Sequence, residues 1–228
     1  MNTSSLARRS IAIGLALSLL ALGRVPLAAD PPEEFEGLKR VEHKKLDHFY
    51  VLPEANLSGY KRIRLDPVDV AFDKNWKPNQ YERSPSRKIN DDDIKKIKST
   101  VATEFRKVFE EDLGEAGYKL VNEDGEDVLR VTAAIINLYI TAPDKMTAGR
   151  SRTYVTSTGH MTLAIALRDS VTGQFLVRAF DSVQARDTGN FMISSSVHNL
   201  GDAREAFHKW AEILRKGLDD ANARPPAT

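Results

Sequence analysis

The chain contains no cysteine. Disulfides, thiolate nucleophiles and cysteine-ligated zinc are excluded, and so is a lipid-attachment cysteine behind a leader peptide. No apolar run reaches the roughly 20 residues that a membrane-spanning helix requires. Charge of one sign is also lacking: 33 basic residues face 32 acidic ones, for a formal net charge of +1. A nearly neutral protein has no global attraction to nucleic acid or anionic lipid. There is no Gly-rich phosphate loop, no Gly-x-Ser-x-Gly elbow, no zincin pair of histidines and no alternating EF-hand ligand pattern. No catalytic residue, metal ligand set or cofactor is assigned from sequence.

What is present begins with residues 1–29. Arg8 and Arg9 precede the apolar run from Ile11 to Leu22, and Leu27-Ala28-Ala29 ends the segment. A positive n-region, an apolar h-region and small residues at a cleavage site read as a secretory signal peptide. The mature chain is then expected to start at Asp30, in the periplasm or outside the cell. Leu27 is larger than the residue usual at its position, so retention as an uncleaved anchor is the rival reading. The short apolar run disfavours it. The Arg8-Arg9 pair leaves the twin-arginine route open beside general secretion. Cleavage removes Arg8, Arg9 and Arg24 but no acidic residue, moving the net charge from +1 to −2.

The remainder has the length of one domain, with 41% hydrophobic and 29% charged residues in the whole chain. Residues 30–58 are polar and read as a loosely held N-terminal arm, pinned by Phe49-Tyr50-Val51-Leu52-Pro53. Residues 59–222 read as a single α+β domain and 223–228 as a disordered tail. Within 60–72 the apolar positions switch parity at Asp66-Pro67, which predicts a bend in a strand. Asn90 and Asp93 mark a helix start, followed by Ile94, Ile97, Val101, Phe105, Val108 and Leu113 at helical spacing. Residues 127–141 are apolar on both parities, as in a central strand. Met161 to Arg168 and Phe175 to Val183 read as a hairpin around Asp169-Ser170-Val171-Thr172-Gly173. A last amphipathic helix starts near Asn199 and stops before Pro225-Pro226. The expected architecture is an antiparallel sheet of about 4–6 strands with both helices packed on one face.

Candidate chemistry is thin. The five histidines are His43, His48, His160, His198 and His208. None has metal-site spacing, and Ser194-Ser195-Ser196 near His198 reads as an ordinary polar loop. The leading expectation is a non-catalytic periplasmic binding or envelope-assembly accessory protein, and the alternative is a hydrolase or other enzyme with a noncontiguous His-containing site, using His198 and Asp or Ser neighbours. Lys145, Arg150 and Arg152, with Thr147, Ser151, Thr153 and Tyr154, form the one polar segment suited to a glycan, phosphate or other anionic ligand. Trp76 and Tyr81 are expected at the same end of the domain. The candidate ligand-binding set is Lys145, Arg150, Arg152, Tyr154 and Trp76.

Four stretches together resemble a known family: Ser58-Gly59-Tyr60-Lys61-Arg62 with Leu65-Asp66-Pro67-Val68-Asp69-Val70-Ala71-Phe72; Ala142-Pro143-Asp144-Lys145; Leu167-Arg168-Asp169-Ser170-Val171-Thr172-Gly173; and Trp210-Ala211. Their order and spacing are similar to an uncharacterised bacterial envelope family, domain of unknown function 3313, over about residues 45–220. The resemblance implies a secreted or outer-membrane-associated protein without an established activity. Its partner is an envelope protein or ligand of unknown identity. Many members look like lipoproteins, and this chain departs from them in lacking the cysteine. No catalytic residue is carried over.

Overall fold

The computed structural model describes residues 32–79, 88–140, 159–184 and 196–223, except the side chains of residues 196–199. The segment read as a leader and most of the C-terminal tail lie outside the described residues. The elements are β1 (Glu34–Phe35), β2 (Leu38–Arg40), β3 (His48–Val51), β4 (Arg62–Leu65), β5 (Asp69–Phe72), α1 (Asp91–Glu115), β6 (Lys119–Leu120), β7 (Val128–Tyr139), β8 (His160–Asp169), β9 (Phe175–Gln184) and α2 (Ser196–Ala223). All strands join one sheet in the order β1-β2-β3-β9-β8-β7-β4-β6, with β5 also beside β7.

The core forms on one face of β7. Leu129, Val131, Ala133 and Ile135 alternate along it, and they pack with Phe105 and Phe109 of α1 and Phe207 and Trp210 of α2. Both helices therefore cover the same face of the sheet. Helix α1 starts with a complete capping box. The Asn90 side chain accepts from the Asp93 amide at 2.9 Å, and the Asp93 carboxylate accepts from the Asn90 amide at 3.0 Å. Asp91, Asp92 and Asp93 occupy the positive end of the helix dipole. Beyond the helix, Gly117 adopts φ +88°, a left-handed value that glycine takes without strain. Helix α2 begins three residues before the expected Asn199. Arg204 pairs with Glu104 at 2.8 Å, His208 with Asp112 at 2.9 Å, and Tyr118 just beyond α1 donates to Asp219 at 2.8 Å. These pairs advance in the same order along both segments, so α1 and α2 run in the same direction.

The α+β class stands, but the sheet is mixed and has nine strands, rather than antiparallel with about 4–6. Strands β4 and β5 both run parallel to β7, and β4 also runs parallel to β6. The reason is α1. It carries the chain back along the sheet before β6 and β7, and a helical crossover leaves the strands on either side of it parallel. Three of the added strands come from the segment read as a loose arm. β3 pairs with β9 through Phe49↔Ala179 and Val51↔Val177, and β2 and β1 follow outward.

The bend expected at Asp66-Pro67 separates β4 from β5. Asp66 is 8% exposed, and one carboxylate oxygen accepts from Arg130 Nε and Thr132 Oγ1, both at 2.8 Å. A buried carboxylate is tolerated here because it is hydrogen-bonded to a cation and a hydroxyl on the neighbouring strand. At the hairpin, one Asp169 oxygen accepts from the Val171 and Thr172 amides at 3.1 and 2.7 Å. The other accepts from the Tyr60 hydroxyl at 2.8 Å. Those bonds hold the Asp169 carboxyl below the usual carboxylate range, the Thr172 amide first among them.

Two measurements check this packing. Gly217 in α2 lines a small apolar cavity of about 100 Å³ with Phe49, Ile165 and Leu214, and an added Cβ there meets nothing within 4 Å. Gly217→Ala is expected to raise stability by about 1 kcal/mol, because alanine is the better helix former. The readout is a higher urea midpoint at unchanged slope. The second concerns Tyr118, whose phenol is pushed up to about 12, by burial first and then by Asp219. Between about pH 10 and 12 the unfolded chain releases this proton while the folded chain keeps it. Stability is therefore full below pH 10 and falls as pH rises through that window. Tyr60, raised by burial and Asp169, adds to the same slope. Urea unfolding across this range should show a shallower decline for Tyr118→Phe than for the unaltered chain.

Candidate functional site: an apolar cleft at the loop end of the sheet

Strand directions bring three connections to one end of the sheet. Strands β5, β7 and β9 end there, and β8, α1 and α2 begin there. Residues 80–87, 141–158 and 185–195 are thus rooted at a common end. Between the sheet and the first turns of α2 at this end lies a cleft of about 320 Å³. Leu138, Ile140, Met161, Val183, Ala203 and Ala206 line it, and Gln184, Asp202, Glu205 and Lys209 add polar groups. The volume falls in the range of small-molecule sites, about 300–1,000 Å³.

A local irregularity in β7 shapes the floor. Asn137 adopts φ +53°, and the pairing with β8 shifts register between Ile136 and Tyr139. This is a bulge, which inserts one residue and re-aims those that come after it. Parity alone groups Leu138 with Ile136. The bulge returns Leu138 to the face of Ile135, where it is 6% exposed in the core. Asparagine suits the position because it is among the few side chains that visit the left-handed region readily. Across the bulge, Gly159 packs so closely that a Cβ would stand 2.9 Å from the Tyr139 carbonyl oxygen. Tyr139 in turn stacks on His160 at 5.1 Å.

Asp181 fixes the roof. It is 3% exposed on β9 and accepts from Lys209 Nζ at 2.8 Å and Trp210 Nε1 at 2.6 Å. Both donors belong to α2, so this one carboxylate ties the helix to the strand beside the cleft. Lys209 is thereby committed to an internal ion pair while lining the opening.

The cleft brings together few groups with acid–base potential. His160 Nε2 stands 3.8 Å from Asp73 Oδ2. His208 meets Asp112 on the helix pair and is not part of the lining. His43 lies 5.2 Å from the Phe49 ring, and His48 Nδ1 is buried without a partner. The side chain of His198 and the serines at 194 and 195 lie outside the described residues. Among the described residues no cluster of three His, Cys, Asp or Glu could hold a metal ion, and no helix is long and apolar enough to cross a membrane.

Of the candidate binding residues, Lys145, Arg150, Arg152 and Tyr154 lie outside the described residues, as does Tyr81. Trp76 is described. It stacks on Phe72 at 3.8 Å with an interplanar angle of 6°, and its Nε1 donates to the Ile140 carbonyl at 3.0 Å. Its indole thus holds the root of the 141–158 segment beside the cleft. Asn137, Gly159, Asp181 and Lys209 were not singled out from sequence. The available signals were a polar residue inside the apolar run of β7, and a lone acid inside that of β9. Trp76→Phe is expected to keep the stacking, lose the bond to Ile140 and cost about 1 kcal/mol. Urea unfolding checks this.

With the geometry in view, comparison with known proteins gives a family and little else. No curated protein matches the chain. Among solved structures it is similar to the PelC dodecamer from Paraburkholderia phytofirmans, at 9% identity, over 75% of this chain and 93% of that one, with a TM-score of 0.34. It is also similar to a minor lipoprotein from Acinetobacter baumannii, at 11% identity, over 71% and 94%, with a TM-score of 0.30. Likenesses at these TM-scores carry no inference about this chain. A family described as protein of unknown function (DUF3313) matches residues 28–214, which is most of the sequence. The chain belongs to that family, DUF3313.

Proposed function

We propose that this is an exported, non-catalytic binding or assembly protein of the bacterial envelope, and that the cleft under α2 is its ligand site. The observation that carries the reading is the cleft itself: an apolar chamber of about 320 Å³ at the end of the sheet where three connections are rooted. Apolar walls with a few polar groups at the mouth suit a ligand with an apolar part and a polar head. The head would meet Lys145, Arg150, Arg152 and Tyr154 of the 141–158 connection, which favours a glycan or another anionic group. The leader-like residues 1–29 support export, and the absence of cysteine supports a mature chain without a lipid anchor.

The test has two parts. Mass spectrometry of the protein from the native cell is expected to find Asp30 at the N-terminus; an intact leader would overturn export by cleavage. Native mass spectrometry after incubation with an envelope extract is expected to show a bound small molecule. Ala203→Trp, which fills the cleft at a partly exposed position, should lose that adduct without losing its melting transition. Absence of an adduct on the unaltered protein, or its persistence in Ala203→Trp, would overturn the cleft as the site.

A further inference from the structure

The other face of the sheet carries a second feature, independent of the cleft. Arg130 on β7 and Arg168 on β8 are direct cross-strand partners, and Arg64 on β4 is the partner of Arg130 on its other side. Leu129 and Val131, which flank Arg130, belong to the core under the helices. Side chains alternate along a strand, so the three arginines form one row across three strands on the face away from α1 and α2. Directly opposed residues have Cβ atoms about 4.5–5.5 Å apart, and like charges so placed repel.

The nearby carboxylates relieve only part of that repulsion. Asp66 accepts from Arg130 Nε and stands 3.6 Å from Arg64 Nε. Asp124 pairs with Arg64 Nη1. Glu36 pairs with Arg178 Nη2 at 2.8 Å. No described carboxylate is paired with Arg168. Its guanidinium lies 3.8 Å from the centre of the Phe175 ring, and its Nε is buried without a hydrogen-bond partner. Arg178 is 3% exposed, lies 4.1 Å from the same ring, and leaves Nε and Nη1 buried and unpartnered. Arg130 retains 36% side-chain exposure, so the row opens to solvent. Burial first, and Arg130 second, depress the pKa of Arg168.

Stacking on Phe175 explains where the Arg168 guanidinium lies. It does not explain why a second arginine faces it across the ladder, when the one carboxylate between the strands, Asp66, is paired with Arg130 and Arg64 and not with Arg168. Two arginines at directly paired strand positions suit a tetrahedral oxyanion, because a guanidinium can bind one through two parallel hydrogen bonds. We propose that Arg130 and Arg168 form a binding site for a phosphate group on the open face of the sheet. The phosphate is that of a soluble ester or of a lipid headgroup.

The experiment uses the mature chain and two probes. The arginine Nε–H signals are followed by NMR during titration with inorganic phosphate, with chloride holding the ionic strength constant. In parallel, sedimentation is measured with phosphatidylglycerol vesicles and with phosphatidylcholine vesicles. Saturable shifts confined to the Arg130 and Arg168 signals are expected. Arg168→Gln is expected to weaken binding about tenfold or more, the size of a lost charge-assisted interaction. Arg204→Gln, on the helix side, should leave it unchanged. Phosphate binding without vesicle binding assigns a soluble ester. Binding to phosphatidylglycerol vesicles that Arg168→Gln abolishes assigns a headgroup. Absence of saturable binding to both probes, or equal binding by Arg168→Gln, would overturn the proposal. Should Arg168→Gln not fold, the signals of the unaltered protein decide alone, because a purely structural arginine pair would not shift on titration.

Discussion

Strand β7 has to cover one apolar face and pair both of its edges, and most of the molecule answers that requirement. On one side, Leu129, Val131, Ala133 and Ile135 need an apolar cover, which α1 and α2 supply together through Phe105, Phe109, Phe207 and Trp210. Each fully buried side chain of this size contributes about 1.5–3 kcal/mol relative to exposure. On its two edges, β7 needs hydrogen-bond partners along its whole length. β8 supplies one edge, and β4 and β5 share the other. The remaining face carries Arg130 and Thr132, and the buried carboxylate of Asp66 accepts one hydrogen bond from each. The break between β4 and β5 therefore has two roles. It turns the chain at Pro67 from β4 to β5, and it delivers the acid that makes a polar face compatible with a central strand.

The two ends and two faces of the sheet divide the polar chemistry between them. At the loop end, under α2, the bulge at Asn137 and the close approach at Gly159 shape an apolar cleft, while Asp181 holds the helix above it. Near the opposite end, on the face away from the helices, the chain sets arginines side by side and interleaves them with Phe175 and Phe35. Phe35 and Glu36 reach Arg178 from the β1–β2 hairpin. Residues that look in sequence like a polar arm thus contribute side chains to a stack on the sheet.

Much of the fold was legible because its signals are local. The capping box at Asn90 and Asp93, the parity switch at Asp66-Pro67 and the Asp169 turn each depend on residues a few positions apart. Each appears in the structure at its expected place. The strands of residues 34–51 were not legible. Two to four residues carry too little periodicity to mark a strand, and their partner β9 lies more than a hundred residues away. The candidate site divides similarly. Trp76, proposed from sequence as a ligand contact, has its indole spent on Phe72 and Ile140. The cleft beside it is assembled from β7, β8, β9 and α2, which no sequence window contains.

By itself the sequence determined the properties set by composition and short-range pattern: no thiol chemistry, a near-neutral charge, two amphipathic helices with a marked first start, and a strand apolar on both faces. Family membership was also readable from the order and spacing of four short stretches. Tertiary structure alone decided that the sheet is mixed, that Leu138 turns back to the core, and that Arg130 meets Arg168. Strand direction depends on the crossover through α1, and register depends on pairing between distant segments. A single inserted residue at Asn137 reverses which face every later side chain of β7 occupies.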